Sequence, residues 1–357
     1  MNKILSIQVL RGIAASLVVF VHACHDTANV ATESWFINFY NLPYFGYIGV
    51  DLFFIISGFI MILIHGNDFL KPKATSIFLI KRIIRIVPLY WIFTIFAASL
   101  LLIFPELFTK GKTFDFEQLI ASLFFFPWYN SIGEVVPVLG VGWTLNFEMY
   151  FYIVFAFTLL LPKKYFLASI SFIFIFGLLL FNILNVDFPY FLMIGKPILL
   201  EFLFGVYIGL LYRRKVILKS PKIWLSISLL LIINNIFMHF DVVYRVIYNG
   251  IPSAILIYAL LSLEYQSECK YCNKYLIILG NASYSIYITH AFFYKGAIRL
   301  YEKLFGSVEP DLMILFSVLL SVFGGIFIYY VLEKPIYNFM KIKYSNYLTN
   351  KLKANNG

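Results

Sequence analysis

The chain has 357 residues, 61% of them hydrophobic and 13% charged, with a mean hydropathy of +0.85. A soluble domain carries roughly 25% charged residues, and 40 Phe with 26 Tyr are more than one soluble core hides. A disordered chain, a coiled coil and an ordinary soluble enzyme are excluded, and the net charge of +10 suits basic residues gathered on one side of a membrane better than a nucleic-acid binder.

The expected fold is all-α: a polytopic integral membrane protein of about ten transmembrane helices with both termini cytoplasmic. Apolar stretches of about 20 residues, each enough to cross roughly 30 Å of hydrocarbon, recur along the chain. They lie near 5–24, 43–64, 83–104, 143–161, 165–185, 196–212, 223–239, 245–263, 275–294 and 311–332. The first has a weak basic flank and no small-residue cleavage site, so it reads as a retained span. Segment 117–133 is apolar but interrupted by Pro127, and is expected at the outer surface or re-entrant. No stretch is long and polar enough for a separate soluble domain. Residues 1–340 therefore read as one membrane-embedded domain and 341–357 as a short basic cytoplasmic tail.

Orientation follows from counting. With the N-terminus inside, 20 of the 28 Lys and Arg fall in cytoplasmic segments, 7 in outer ones, and Arg11 within the first span. Cytoplasmic segments are the ones enriched in basic residues. The cysteines add little. Cys269 and Cys272 form a lone C-x-x-C, but a structural zinc site needs four ligands and no second pair or nearby His is present, so no metal is expected.

Charges inside spans are the informative residues, because each Asp, Lys or Arg at a helix centre costs about 2.5–3.5 kcal/mol. Arg11, Asp51, Glu148 and Glu201 fall within expected spans, with His22 and His290 nearer span ends. Such groups mark function by default; an ion pair that only fixes helix packing is the plain alternative. Arg11 and His22 are eleven residues apart, which at about 100° per residue returns to nearly the same helix face some 16 Å further along. By topology Asp51, Glu148, Glu201 and His290 join His22 in the outer half, an embedded acid–base cluster. Arg82 and Arg85 form a cationic cytoplasmic mouth suited to phosphates, or else bind lipid headgroups.

Several segments carry a resemblance. Ser6-Ile-Gln-Val-Leu-Arg11-Gly12 with His22 resembles the opening of the integral-membrane acyltransferase 3 family. Gly49-Val-Asp51-Leu-Phe-Phe-Ile-Ile-Ser57-Gly58-Phe59 and Lys81-Arg82-Ile-Ile-Arg85-Ile-Val-Pro88-Leu-Tyr90-Trp91 are similar to its next two elements. Gly142-Trp143-Thr-Leu-Asn146-Phe-Glu148-Met-Tyr150-Phe-Tyr152 resembles its Trp-x-Leu-x-x-Glu element. Leu279-Gly280-Asn-Ala-Ser283-Tyr284-Ser-Ile-Tyr287-Ile-Thr-His290 and Glu333-Lys334-Pro335 resemble its closing segments. The six matches come in order over essentially the whole chain. The Glu148 element, with Leu200-Glu201-Phe-Leu-Phe-Gly205, is most similar to the exopolysaccharide-production branch.

The resemblance implies a multi-pass protein of the bacterial cytoplasmic membrane that moves an acyl group, usually acetyl, from cytoplasmic acyl-coenzyme A to a glycan hydroxyl. The acceptor is an envelope or exported polysaccharide or its lipid-linked precursor; no cofactor is held permanently and no nucleic acid is a partner. On this reading His22 is the general base, oriented by Glu148 or Asp51. Arg82 and Arg85 hold the coenzyme A phosphates, with Arg11 deeper near the thioester. Trp143, Tyr287, His290 and Glu201 contact substrate. The alternative is a transporter or flippase for a glycan or small anion, since buried ionisable residues also mark transport paths. Against it stands the lack of an internal repeat.

Overall fold

The computed structural model describes residues 4–354 except 32, 41, 109–110, 239–241, 268–272 and 307–308. Cys269 and Cys272 lie outside the described residues. Among the described residues every regular element is helical, and the one β contact is an isolated bridge between Tyr129 and Val135. The α-helices are α1 (Leu5–Thr27), α2 (Trp35–Asn38), α3 (Leu42–Phe45), α4 (Ile48–His65), α5 (Ala74–Ile103), α6 (Phe116–Leu123), α7 (Trp143–Thr158) and α8 (Lys163–Leu184). They continue as α9 (Pro189–Ile194), α10 (Leu200–Arg213), α11 (Pro221–Phe237), α12 (Ile251–Ser267), α13 (Lys274–Phe305), α14 (Pro310–Ile328) and α15 (Lys334–Ala354). A π-helical turn, Val246–Gly250, leads into α12, and another, Tyr329–Glu333, joins α14 to α15.

Among the described residues seven helical stretches are long and apolar enough to cross a membrane: α1, α4, α5, α8, Val246–Gln266, α13 and Pro310–Tyr347. The other three apolar segments are also helical, but α7, α10 and α11 have only 16, 14 and 17 residues. At 1.5 Å per residue α10 covers roughly 21 Å. Short 3₁₀ turns at Gly140–Gly142 and Pro197–Leu199 lead into α7 and α10. Irregular backbone is tolerated at membrane depth where protein surrounds it or where it lines a cavity. Segment 117–133 does not span: α6 has eight residues, about 12 Å. The chain after it folds back, with the Gln118 amide donating to the Val136 carbonyl (2.8 Å) and the Val138 N–H donating to Ser122 Oγ (2.9 Å).

The hub is α4. In its apolar stretch 78% of residues are buried, against 17% in the peripheral α8. α1 packs on α4, α13 and α14, and α10 packs along α4. Motif glycines make these contacts close. A Cβ at Gly205 would run into the Ile55 carbonyl oxygen, and one at Gly280 into that of Gln8. Small residues of this kind let membrane helices approach backbone to backbone, where no hydrophobic drive from water exists. Much of the Phe content fills the space between α4, α5, α7, α8 and α10. Phe202 there stacks on both Phe54 and Phe151 at 4.5 Å between centroids.

Helix ends are satisfied from other helices. The Glu264 carboxylate accepts the N–H groups of Leu5 (2.8 Å) and Ser6 (2.9 Å), so α12 caps α1. Arg213, ending α10, donates to the carbonyls of Ile62 and Leu63 at the end of α4. Each charge complements the helix terminus it meets.

Candidate active site

The spacing on each helix decides which side chains meet. Ser57 on α4, Arg82 and Arg85 on α5 and Glu148 and Tyr152 on α7 line one cavity with Arg11 on α1 and Ser283, Tyr284 and Tyr287 on α13. Pairs three or four apart, such as Arg82 with Arg85 or Glu148 with Tyr152, share a helix face. The cavity holds about 200 Å³, the space of about seven water molecules at roughly 30 Å³ each.

Three guanidinium groups face two carboxylates around this space. Arg85 pairs with Glu333 (2.6 Å), which also accepts from Ser285 Oγ (2.5 Å). Glu148 Oε1 accepts from Ser57 Oγ (2.9 Å) and from the Tyr152 hydroxyl. Arg82 lies over the rings of Phe78 and Tyr152, and its buried Nε has no partner. Among the described residues neither Arg11 nor Arg82 is in an ion pair. A buried N–H without an acceptor is costly, and a ligand oxygen would relieve it.

Beyond the cavity, α13 carries a second group. Tyr287 lines the cavity, where its hydroxyl meets Thr144 Oγ1 at 2.9 Å. One turn later the His290 ring sits 5.1 Å from that of His22. The Tyr287 carbonyl accepts from His290 Nδ1 (2.6 Å), so the proton of the neutral ring is on Nδ1 and its buried Nε2 keeps a lone pair. Tyr294 stacks on His22, and Tyr47 lies 6.2 Å from it edge-on. His22 is partly exposed, whereas His290 is sealed. The cavity thus holds the guanidinium groups, and the two imidazoles lie outside its lining, one turn along α13 from Tyr287.

The single acid–base cluster expected in the outer half divides into three. Glu148 lies with the arginines, hydrogen-bonded to Ser57 and Tyr152 and not to an imidazole. Asp51 is taken up by Arg245, whose Nε and Nη2 donate to its two oxygens at 3.0 and 2.7 Å. Glu201 is buried beside that pair, with no hydrogen-bond partner for either oxygen. Asp51 on α4, Glu148 on α7 and Glu201 on α10 thus stand apart from the histidines, which meet across the α1–α13 contact. Arg245 was missed because it opens a span and counts as an outer-loop charge. Ser57, Tyr152, Tyr284 and Glu333 stand inside the recognised motifs, but nothing local to each gave it a role. Trp143 faces away from this cavity, onto a second one beside Arg245.

Comparison with known proteins gives two matches. The acyltransferase domain family matches residues 4–331. The chain is also similar to the exopolysaccharide production protein ExoZ of Rhizobium meliloti (strain 1021), 35% identical over 301 residues that cover 82% of this chain and 89% of that protein. No solved structure matches the chain.

Proposed function

The chain belongs to the acyltransferase 3 family, and from that premise we propose that it is an O-acetyltransferase of the bacterial cytoplasmic membrane acting on an exported polysaccharide or its lipid-linked precursor. It uses acetyl-coenzyme A from the cytoplasm. The observation that carries this reading is the cavity lined by Arg11, Arg82 and Arg85, with the His22–His290 pair one helical turn beyond its wall residue Tyr287. The similarity to an exopolysaccharide production protein supports the acceptor class.

The arrangement involves ten membrane passages, with α7, α10 and α11 as the short ones and both termini in the cytoplasm. Arg82 and Arg85 then face the cytoplasm and grip the donor's phosphates through planar, bidentate forks. The cavity is too small for the nucleotide, so only the acyl-bearing arm enters it, passing Arg11. Glu148 fixes Ser57 and Tyr152 along this passage. His22, reachable from outside, takes the proton of the acceptor hydroxyl as its oxygen attacks the thioester carbonyl. The C–S bond breaks, the imidazolium returns the proton to the departing sulfur, and the products are the acetyl ester and free coenzyme A. His290, its tautomer set by the Tyr287 carbonyl, is sealed behind His22 and positions that ring rather than touching the acceptor.

Purified protein given acetyl-labelled acetyl-coenzyme A and polysaccharide from the producing cell is expected to yield labelled, alkali-labile glycan. A carrier of glycan or small anion would move its cargo across vesicles and leave the label on coenzyme A, and that result would overturn the reading.

A further inference from the structure

A larger cavity, of about 550 Å³, lies on the far side of α7 from the first. The opening turns of α7 divide the two: Thr144, Leu145 and Glu148 face the lumen, while Trp143, Asn146 and Phe147 face this second space. Its other walls come from the 127–136 loop, α9 and the turn after it, and Arg245. The size falls within the range of about 300–1,000 Å³ typical of ligand sites.

The polar lining is specific. Asn146 is buried at 4% exposure, and its Oδ1 has no partner. Arg245 is held rigidly, since Nε and Nη2 are bound to Asp51 and Nη2 also donates to the Tyr47 carbonyl (2.9 Å), which leaves Nη1 outside this network. Lys196 is exposed at the wall and, among the described residues, is in no ion pair. No carboxylate lines the cavity. The ligand such a wall fits has a hydroxyl for Asn146, an apolar ring face for Trp143, and a negative charge for Lys196 and Arg245. A carbohydrate carrying an anion has all three.

We infer that this cavity is the acceptor site and that it selects an acidic sugar, one bearing a carboxylate or a phosphate. The inference rests on the transferase reading for the word acceptor, but the binding chemistry stands without it. Tyr47 links the cavity to the transfer point: its carbonyl and ring hold Arg245, and its ring faces His22. A sugar seated against Trp143 and Arg245 is thus connected to His22 through Arg245 and Tyr47. Lys196 supplies the charge that no protein group balances, whereas the charge of Arg245 is already met by Asp51, so Lys196 is the determinant of acid preference.

The test is binding of three probes to the purified protein without acyl donor: cellobiouronic acid, its neutral twin cellobiose, and glucose 1-phosphate. Cellobiouronic acid or glucose 1-phosphate is expected to bind at least about tenfold tighter than cellobiose, a difference of about 1.4 kcal/mol. Whichever acid is favoured tells a sugar carboxylate from a lipid-linked phosphate as the natural source of the charge. Lys196→Gln is expected to cut the preference to under about threefold, and Lys196→Arg to retain it. Equal affinity for acid and neutral sugar, no binding of any probe, or an unchanged preference in Lys196→Gln would overturn the inference. If the acid preference holds but no acetyl group is transferred to glycan, the transferase reading fails and the binding site stands.

Discussion

His22 and His290 differ in what each ring is free to do. The Nδ1 proton of His290 is committed to a backbone carbonyl and its Nε2 is sealed in the protein, so it has a fixed tautomer but little access. His22 has access. A general base must come within hydrogen-bond reach of the proton it removes, and its loss typically costs about 10²–10⁴ in rate. His22→Ala is therefore expected to insert normally and lose that much acyl transfer in a steady-state assay, while His290→Ala, acting through the His22 ring it packs against, lowers kcat by less and leaves KM for acceptor near that of the parent. Near-native transfer by a well-expressed His22→Ala would move the base to His290. In the cavity Arg82 holds no carboxylate and Arg85 holds Glu333, so on the proposed reading donor phosphates would meet one unpaired and one paired guanidinium. Arg82→Lys keeps the charge but loses the planar fork. Its affinity for coenzyme A, measured by calorimetry, is expected to fall about tenfold, with Arg85→Lys weaker in effect because the Arg85 charge is already shared with Glu333. Unchanged affinity in both variants and in the double variant would return these residues to lipid headgroups.

At the scale of elements, the chain's helices are positioned by contacts that a side chain would block. Gly58 and Gly205 sit where α4 and α10 touch backbone to backbone, and added Cβ atoms would meet the carbonyls of Phe202 and Ile55. Both obstacles are main chain, so neither can swing aside. Gly205→Leu is expected to push α10 off α4, carrying Glu201 away from the Asp51–Arg245 pair. Overpacking a close-fitted contact costs about 1–3 kcal/mol, so the expected result is a lower midpoint in thermal unfolding and a loss of purified monodisperse protein. Gly296, where nothing stands within 4 Å of an added Cβ, is the control, and Gly296→Ala should leave the midpoint unchanged. A Gly205→Leu protein as stable as the parent would show that α10 does not need this approach.

For the whole molecule, orientation governs the entire functional reading, since it decides whether the cavity's arginines meet a cytoplasmic donor. On the orientation proposed from the bias of 20 basic residues against 7, the Arg213–Lys222 segment is cytoplasmic and the segment containing Glu106 lies outside. Both Ser220 and Glu106 are exposed. In a background with Cys24, Cys269 and Cys272 replaced by Ser, Glu106→Cys is expected to react with a membrane-impermeant maleimide in intact cells lacking an outer barrier. Ser220→Cys should react only after the inner face is opened. The reverse pattern would put the arginines outside and exclude a cytoplasmic donor.

Composition and the length of apolar runs determined that this chain is an all-helical membrane protein, because hydrocarbon admits only backbone that bonds to itself. The ordered motifs determined its family. Helical periodicity alone predicts Arg11 and His22 on one face of α1; in the structure Arg11 lines the cavity and His22 meets His290 on α13. Periodicity on a single helix says nothing of how its neighbours are rotated or how deep they sit, and those two quantities belong to tertiary packing. They sent Glu148 to the arginines and Asp51 to Arg245, and they brought His290 against His22 across the α1–α13 contact that Gly12 and Gly280 keep close. The caps on α1 and α4 come from Glu264 and Arg213, far away in the chain, so no local pattern announced them. Depth and rotation are settled by backbone-to-backbone fit between helices, which is why the fold class was legible in the sequence and the partners of each buried charge were decided only by the packed bundle.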